Sequence, residues 1–148
     1  MNNVVNLDRF NQLLNTVVRQ IQADSTFQPN TILALSTGGF PVGAALAKRL
    51  GIKSRNVIGL PVYKDDNGDY HLDDRLVRLG DCTQQRILVV DEASKRGLLT
   101  KKAVDSVVEH GGMAKSCVLI AWQEGIQPDY VAETCEAEPP DFYWELNN

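Results

Sequence analysis

Residues 87–100 read ILVVDEASKRGLLT, and this stretch decides the fold. Arg86 to Val90 is an apolar run too short for a helix and uniform enough for a strand buried on both faces. It ends in Asp91-Glu92, and beyond Gly97 the spacing predicts a helix from about Leu99 to His110, closed by Gly111-Gly112. The same order stands upstream. Thr31 to Leu35 is a short apolar run behind Gln28-Pro29-Asn30. Ser36-Thr37-Gly38-Gly39 follows it, and a helix starting near Pro41 runs to Gly51.

Working outward, apolar residues at Leu7, Phe10, Leu13, Leu14, Val17, Val18 and Ile21 keep the three-and-four spacing of an amphipathic helix from Leu7 to Ala23. Val57 to Tyr63 reads as a second strand, and Asn67-Gly68 in the polar stretch Lys64 to Asp69 marks a protruding hairpin. Ser116 to Trp122 reads as another strand, followed by a tail with Pro128, Pro139, Pro140 and Phe142-Tyr143-Trp144. Continuous apolar strands alternating with helices predict an α/β fold: a mainly parallel sheet with helices on both faces. In such sheets ligands bind beyond the carboxyl ends of the strands, where Ser36 to Phe40 and Asp91 to Thr100 both project.

The chain has 148 residues, 43% apolar and 23% charged, as expected of one globular domain, 1–148. Its net charge of −4 and pI near 5.1 leave no broad positive face for nucleic acid, so a phosphate site has to be local. MNNVVNLDRF lacks a basic leader and a continuous apolar stretch. No run approaches the roughly 18 apolar residues of a membrane span, and the expected location is the cytoplasm. Cys82, Cys117 and Cys135 are widely spaced with no CxxC pair, and are expected to be free thiols.

Chemistry is expected at the two strand ends. The turn Ser36, Thr37, Gly38, Gly39 precedes a helix whose first amides lack intrahelical partners, which suits a phosphate, although a lone GG also suits a tight turn with no ligand. Asp91 and Glu92 can accept sugar hydroxyls or hold Mg²⁺ through water; taken alone they also read as a solvated turn. Ser94, Lys95, Arg96, Gly97 and Thr100 add hydroxyls, cations and a glycine before a helix. Carboxylates and phosphate-type groups within ten residues, where the architecture places a ligand, favour a binding site.

The stretch ILVVDEASKRGLLT resembles the ribose-phosphate loop of the type I phosphoribosyltransferases, particularly the short bacterial xanthine-guanine and hypoxanthine enzymes. LALSTGGFPVGAALAKRLGI resembles their pyrophosphate loop and its helix, PVYKDDNGDYHLDDRLVRLGD their mobile flap, and PDFYWEL the hood over the base. The resemblance covers most of the chain. It implies a flap hairpin at 64–79 and a small C-terminal hood at 126–148.

It also implies that Asp91 and Glu92 contact the ribose of phosphoribosyl pyrophosphate (PRPP) directly or through Mg²⁺. Ser94, Lys95, Arg96, Gly97 and Thr100 would hold the 5′-phosphate, Ser36 to Gly39 would hold pyrophosphate, and Trp122, Tyr143 and Trp144 would stack on the base. No single residue is assigned a catalytic role. The implied activity is transfer of the ribose-5-phosphate group to a nitrogenous base with release of pyrophosphate, in a homodimer or homotetramer.

Departures at five positions favour an alternative, a sensor that binds PRPP or a nucleotide without transfer. Lys95 stands where the purine enzymes carry an aspartate, and Arg96 where threonine or alanine is usual. Leu98 and Leu99 replace small or hydroxyl residues, with Thr100 one position late, and Trp122 replaces a lysine. Phe142, Tyr143 and Trp144 equally suit packing against the sheet.

Overall fold

A computed structural model describes residues 4–73 and 82–145. The apolar stripe of the first helix forms α1, Leu7–Ala23, with the boundaries read from the sequence. Asn6 opens it by accepting the Arg9 N–H on its side-chain oxygen at 2.9 Å, which satisfies one first-turn amide. Phe10, Leu13, Leu14, Val17, Val18 and Ile21 form its buried face.

The sheet has five parallel strands: β1 Thr31–Leu35, β2 Val57–Leu60, β5 Arg86–Ser94, β6 Met113–Trp122 and β7 Tyr130–Cys135. Their order is β2-β1-β5-β6-β7. A separate antiparallel hairpin pairs β3 Val62–Lys64 with β4 Tyr70–Leu72. Helix α2, Ser36–Leu50, follows β1, and α3, Leu98–Glu109, follows β5. The period of two along each strand divides the core. Ile32, Ala34, Leu88 and Val90 face the side covered by α1 and α2, while Leu33, Leu35, Ile87 and Val89 face the side covered by α3.

The chain leaves β1 toward β2 on one side and leaves β5 toward β6 on the other. The gap between the carboxyl ends of β1 and β5 is therefore the topological switch point, where the connecting loops part and a ligand can enter.

Several boundaries differ from the sequence reading. Helix α2 starts at Ser36 rather than near Pro41, so Ser36 to Gly39 are its first turn. Strand β5 runs on to Ser94 because β6 continues to pair with it, Asp91 with Val118, Ala93 with Ile120 and Ser94 with Ala121. The run Val57 to Tyr63 splits into β2 and β3 at Pro61, which has no N–H to donate. Within the tail, Tyr130–Cys135 is an edge strand that was not expected.

The hairpin lies where Asn67-Gly68 placed it. Asp65 Oδ1 accepts the N–H groups of Asn67 and Asp69, each at 2.9 Å, and Tyr63 stacks on His71. Of the expected flap, residues 74–79 lie outside the described residues, as do 146–148 of the expected hood. Among the described residues no helix is long and apolar enough to cross a membrane. No disulfide joins Cys82, Cys117 and Cys135.

Candidate functional site

The first turn of α2 is tightly fitted. A Cβ on Gly39 would stand 2.7 Å from the Val90 carbonyl oxygen, so only glycine lets the helix start cross the end of β5. Ser36 adopts a left-handed φ of 53°, and its Oγ accepts the Gly38 N–H at 3.3 Å. Leu35, at the N-cap, supplies no side-chain bond, so the turn keeps free amide donors.

The Glu92 carboxylate lies over this turn. A Cβ on Gly38 would overlap the Glu92 carboxyl carbon and both of its oxygens. Extension of β5 beyond Val90 thus carries the second acid of the pair onto the first turn of α2. Glu92 Oε2 is buried with no hydrogen-bond partner. Glu92 N–H donates to Asp91 Oδ1 at 3.0 Å. Burial pushes the Asp91 carboxyl well above the ordinary carboxylate range, and the hydrogen-bonding approach and charge of Glu92 push it further.

A third carboxylate stands close by, one to which the sequence reading gave no role. Glu145 Oε2 accepts the Phe142 N–H at 2.7 Å. Burial raises the Glu145 carboxyl against that bond, and the charges of Glu92 and Asp141 raise it further. PDFYWEL contains the residue, but only the folding back of the tail brings it to Asp91 and Glu92. Two short bonds fix that path, Val5 N–H to the Asp141 carbonyl at 2.9 Å and Tyr143 N–H to the Val5 carbonyl at 3.0 Å.

The segment after β5 is shorter than the sequence implied. Ser94 is buried and belongs to the strand, while Lys95 and Arg96 are exposed. Lys95 Nζ pairs with Glu138 of the tail. Gly97 is the N-cap of α3 with φ 75°, and its carbonyl accepts the Thr100 hydroxyl and the Lys101 N–H, both at 3.1 Å. The opening amides of α3 receive no side-chain cap. The turn after β6 locks the loop in place: Ile126 N–H donates to the Arg96 carbonyl at 3.0 Å, and Gly125 and Gly97 interleave with Lys95 and Ile126.

Of the expected stacking residues, Tyr143 and Trp144 are in ring contact with each other, and Trp122 is engaged by the tail backbone. Trp122 donates its indole N–H to the Glu136 carbonyl at 3.1 Å. Trp144 lies against Phe142 at 4.8 Å and edge-on to Phe10 at 5.1 Å, with its Nε1 buried and unpartnered. Tyr143 stands edge-on to Trp144 and is 41% exposed. Phe142 itself is core.

The described residues hold no group of three His, Cys, Asp or Glu able to bind a metal ion by themselves. Two adjacent carboxyls, Asp91 raised by burial and by its neighbour and Glu92 with one oxygen buried, nonetheless fit a hard cation whose remaining ligands come from a bound anion and water.

No family model matches the chain, and no curated protein matches it significantly in sequence. Solved structures match over nearly the whole chain. The purine phosphoribosyltransferase of Pyrococcus horikoshii is 17% identical with a TM-score of 0.74, covering 96% of this chain and 91% of that one. The xanthine-guanine-hypoxanthine phosphoribosyltransferase of Helicobacter pylori is 18% identical with a TM-score of 0.73, covering 95% and 91%. A hypothetical protein of Neisseria gonorrhoeae with bound ppGpp is 16% identical with a TM-score of 0.71, covering 95% and 86%. With its parallel sheet, its switch point between β1 and β5 and these neighbours, the chain has the type I phosphoribosyltransferase fold.

Proposed function

We propose that the protein is a phosphoribosyltransferase that binds PRPP with Mg²⁺ and transfers the ribose-5-phosphate group to a nitrogenous base. The observation that carries this reading is the contact of Glu92 with Gly38. It sets an acid pair suited to sugar hydroxyls and a cation against an amide turn suited to a diphosphate. Asp91 and Glu92 hold the ribose hydroxyls and the metal, and the Ser36 to Gly39 turn takes pyrophosphate. The opening amides of α3, with Ser94, Lys95, Arg96, Gly97 and Thr100 around them, take the 5′-phosphate. Tyr143 and Trp144 of the tail and Trp122 border the base.

A nitrogen of the base attacks C1 of the ribose as the bond from C1 to the pyrophosphate oxygen breaks. The electron pair leaves with pyrophosphate, and the proton of the attacking nitrogen passes to solvent. Amide donors fixed in the α2 turn stabilise the charge that develops on the departing oxygen without having to reorient. Bound Mg²⁺ supplies further neutralisation of that charge. The hairpin of β3 and β4 excludes water, which would otherwise hydrolyse PRPP.

Two contacts favour a second reading, a sensor that binds PRPP or a guanosine polyphosphate without transfer. Lys95 is tied to Glu138, and the Trp122 indole donor is spent on the Glu136 carbonyl, which leaves neither free to read the edge of a base. The neighbour with bound ppGpp supports this reading.

Incubation with PRPP, Mg²⁺ and a panel of purines and pyrimidines separates the two. Equimolar pyrophosphate and nucleoside monophosphate from at least one base is the expected result. Saturable PRPP or ppGpp binding with no turnover selects the sensor. Absence of both turnover and binding removes both readings, and unchanged PRPP affinity in Asp91→Ala removes the assigned ribose site.

A further inference from the structure

The Glu92 carboxylate stands directly against Gly38 in the first turn of α2, beside the amides that an anion would seek. It fits there only because residue 38 is glycine. One of its oxygens, Oε2, is buried without a hydrogen-bond partner, and the Gly38 N–H is turned away to Ser36 Oγ at 3.3 Å. A carboxylate oxygen buried without a donor is a destabilised arrangement that a better partner readily dissolves. Asp91 and Glu92 crowd two carboxyls together, and a divalent cation drawn between them relieves both the crowding and the bare oxygen.

The turn itself offers donors that no side chain of the N-cap satisfies. A diphosphate on this turn and the Glu92 carboxylate against Gly38 are both anionic, so each disfavours the other by charge.

We propose that Glu92 is a cation-operated gate on the anion-binding turn of α2. Without a divalent cation its carboxylate covers Gly38. With a cation shared with Asp91 it leaves Gly38, and the turn opens to diphosphate. Metal therefore binds before or with the anion. This inference rests on the reading of the turn as the pyrophosphate seat.

Calorimetric titration of inorganic pyrophosphate into the full chain, in EDTA and in Mg²⁺, tests the gate. Wild type binds weakly in EDTA. Glu92→Ala binds metal-free pyrophosphate at least tenfold more tightly than wild type does in EDTA. Glu92→Asp, which keeps the charge but is too short to cover Gly38, shifts in the same direction. Glu145→Gln removes a neighbouring charge without uncovering the turn and shifts less than threefold.

If Glu92→Ala binds metal-free pyrophosphate no more tightly than wild type, or if Glu145→Gln matches it, the gate is overturned and the seat stands. If no folded variant binds pyrophosphate in either condition, the seat is wrong and the gate falls with it.

Discussion

Gly97 stands so close to Ile126 that a Cβ on Gly97 would lie 2.8 Å from the Ile126 Cβ and nearer still to its carbonyl oxygen. The loop after β5 and the turn after β6 are thus one interlocked unit, with Gly125 closing against Lys95 from the other side. Gly97 also needs its positive φ of 75°, which alanine adopts only under strain. Gly97→Ala is expected to lower stability by about 2–4 kcal/mol. Urea denaturation reads this as a lower midpoint at unchanged slope. Because the loop also begins α3, PRPP affinity is expected to fall more than the stability loss alone predicts for the folded fraction. An unchanged midpoint would show that the two loops move independently.

Lys95 and Arg96 are adjacent and both exposed, yet they are differently placed. Lys95 is engaged by Glu138, whereas among the described residues Arg96 has only its backbone carbonyl engaged, by Ile126. An arginine making a charge-assisted bond to a 5′-phosphate is worth about 1.5–3 kcal/mol, or roughly 10–100-fold in affinity. Lysine has to surrender its existing pair to do the same. Arg96→Ala is therefore expected to weaken phosphate-ester binding about tenfold or more, and Lys95→Ala much less. Equilibrium titration at two salt concentrations checks the ranking, and the reverse order would place Lys95 rather than Arg96 on the phosphate.

What the sequence shows and what it hides follow from the range of the interactions. The stripe in α1 and the runs of β1 and β5 are local patterns imposed by burial, so their positions are legible residue by residue. Strand β7 is not, because an edge strand with exposed Glu133 and Thr134 has no continuous apolar run. The early start of α2 is hidden as well, since Pro41 draws a first-turn reading while the N-cap that the helix uses, Leu35, carries no capping side chain.

At the site, Asp91, Glu92 and the glycine turn are visible as motifs. Glu145 and Glu138 are not, because each reaches the site only through the return of the tail, more than 40 residues further along the chain. The tail aromatics stay ambiguous in sequence for the same reason: stacking and packing demand the same residue types, and only the burial of Phe142 distinguishes them.

Far from the candidate site, Asp24 ties the end of α1 to the sheet. Its Oδ2 accepts Lys115 Nζ and the Tyr130 hydroxyl, both at 2.6 Å, and its Oδ1 accepts the Thr26 N–H and hydroxyl. The bond from Lys115, then those from Thr26 and Tyr130, hold the Asp24 carboxyl well below its ordinary range. A depressed carboxyl contributes stability above its unfolded pKa of about 3.9 and loses it as pH falls toward the folded value. Wild type is therefore expected to lose stability steeply below about pH 5, and Asp24→Asn to start lower at pH 7 and fall less steeply. Urea midpoints between pH 3 and pH 7 check this, and parallel curves would remove Asp24 as a source of the acid limb.

The tail is a structural part of the fold through one ring. Phe142 is 0% exposed, bridges to Val5 beside α1, and packs under Trp144. Removing a ring of this size from a closed core costs about 3–5 kcal/mol, because the space left cannot fully collapse. Tyr143, 41% exposed and touching the cluster only by its edge, should cost less than about 1 kcal/mol on truncation. Trp144→Phe keeps an aromatic ring and deletes a buried N–H with no acceptor, so it should be close to neutral or slightly stabilising.

The ordering Phe142→Ala far below wild type, Tyr143→Ala near it and Trp144→Phe at or above it is measured by urea denaturation. Alanine keeps the backbone N–H of residue 142 that holds Glu145 but loses the buried ring that fixes its place, so Phe142→Ala should shift Glu145 beside Asp91 and Glu92 and weaken Mg²⁺-dependent PRPP binding even at temperatures where the protein stays folded. Full retention of binding in a folded Phe142→Ala protein would mean that the carboxylate of Glu145 does not depend on the core beneath it.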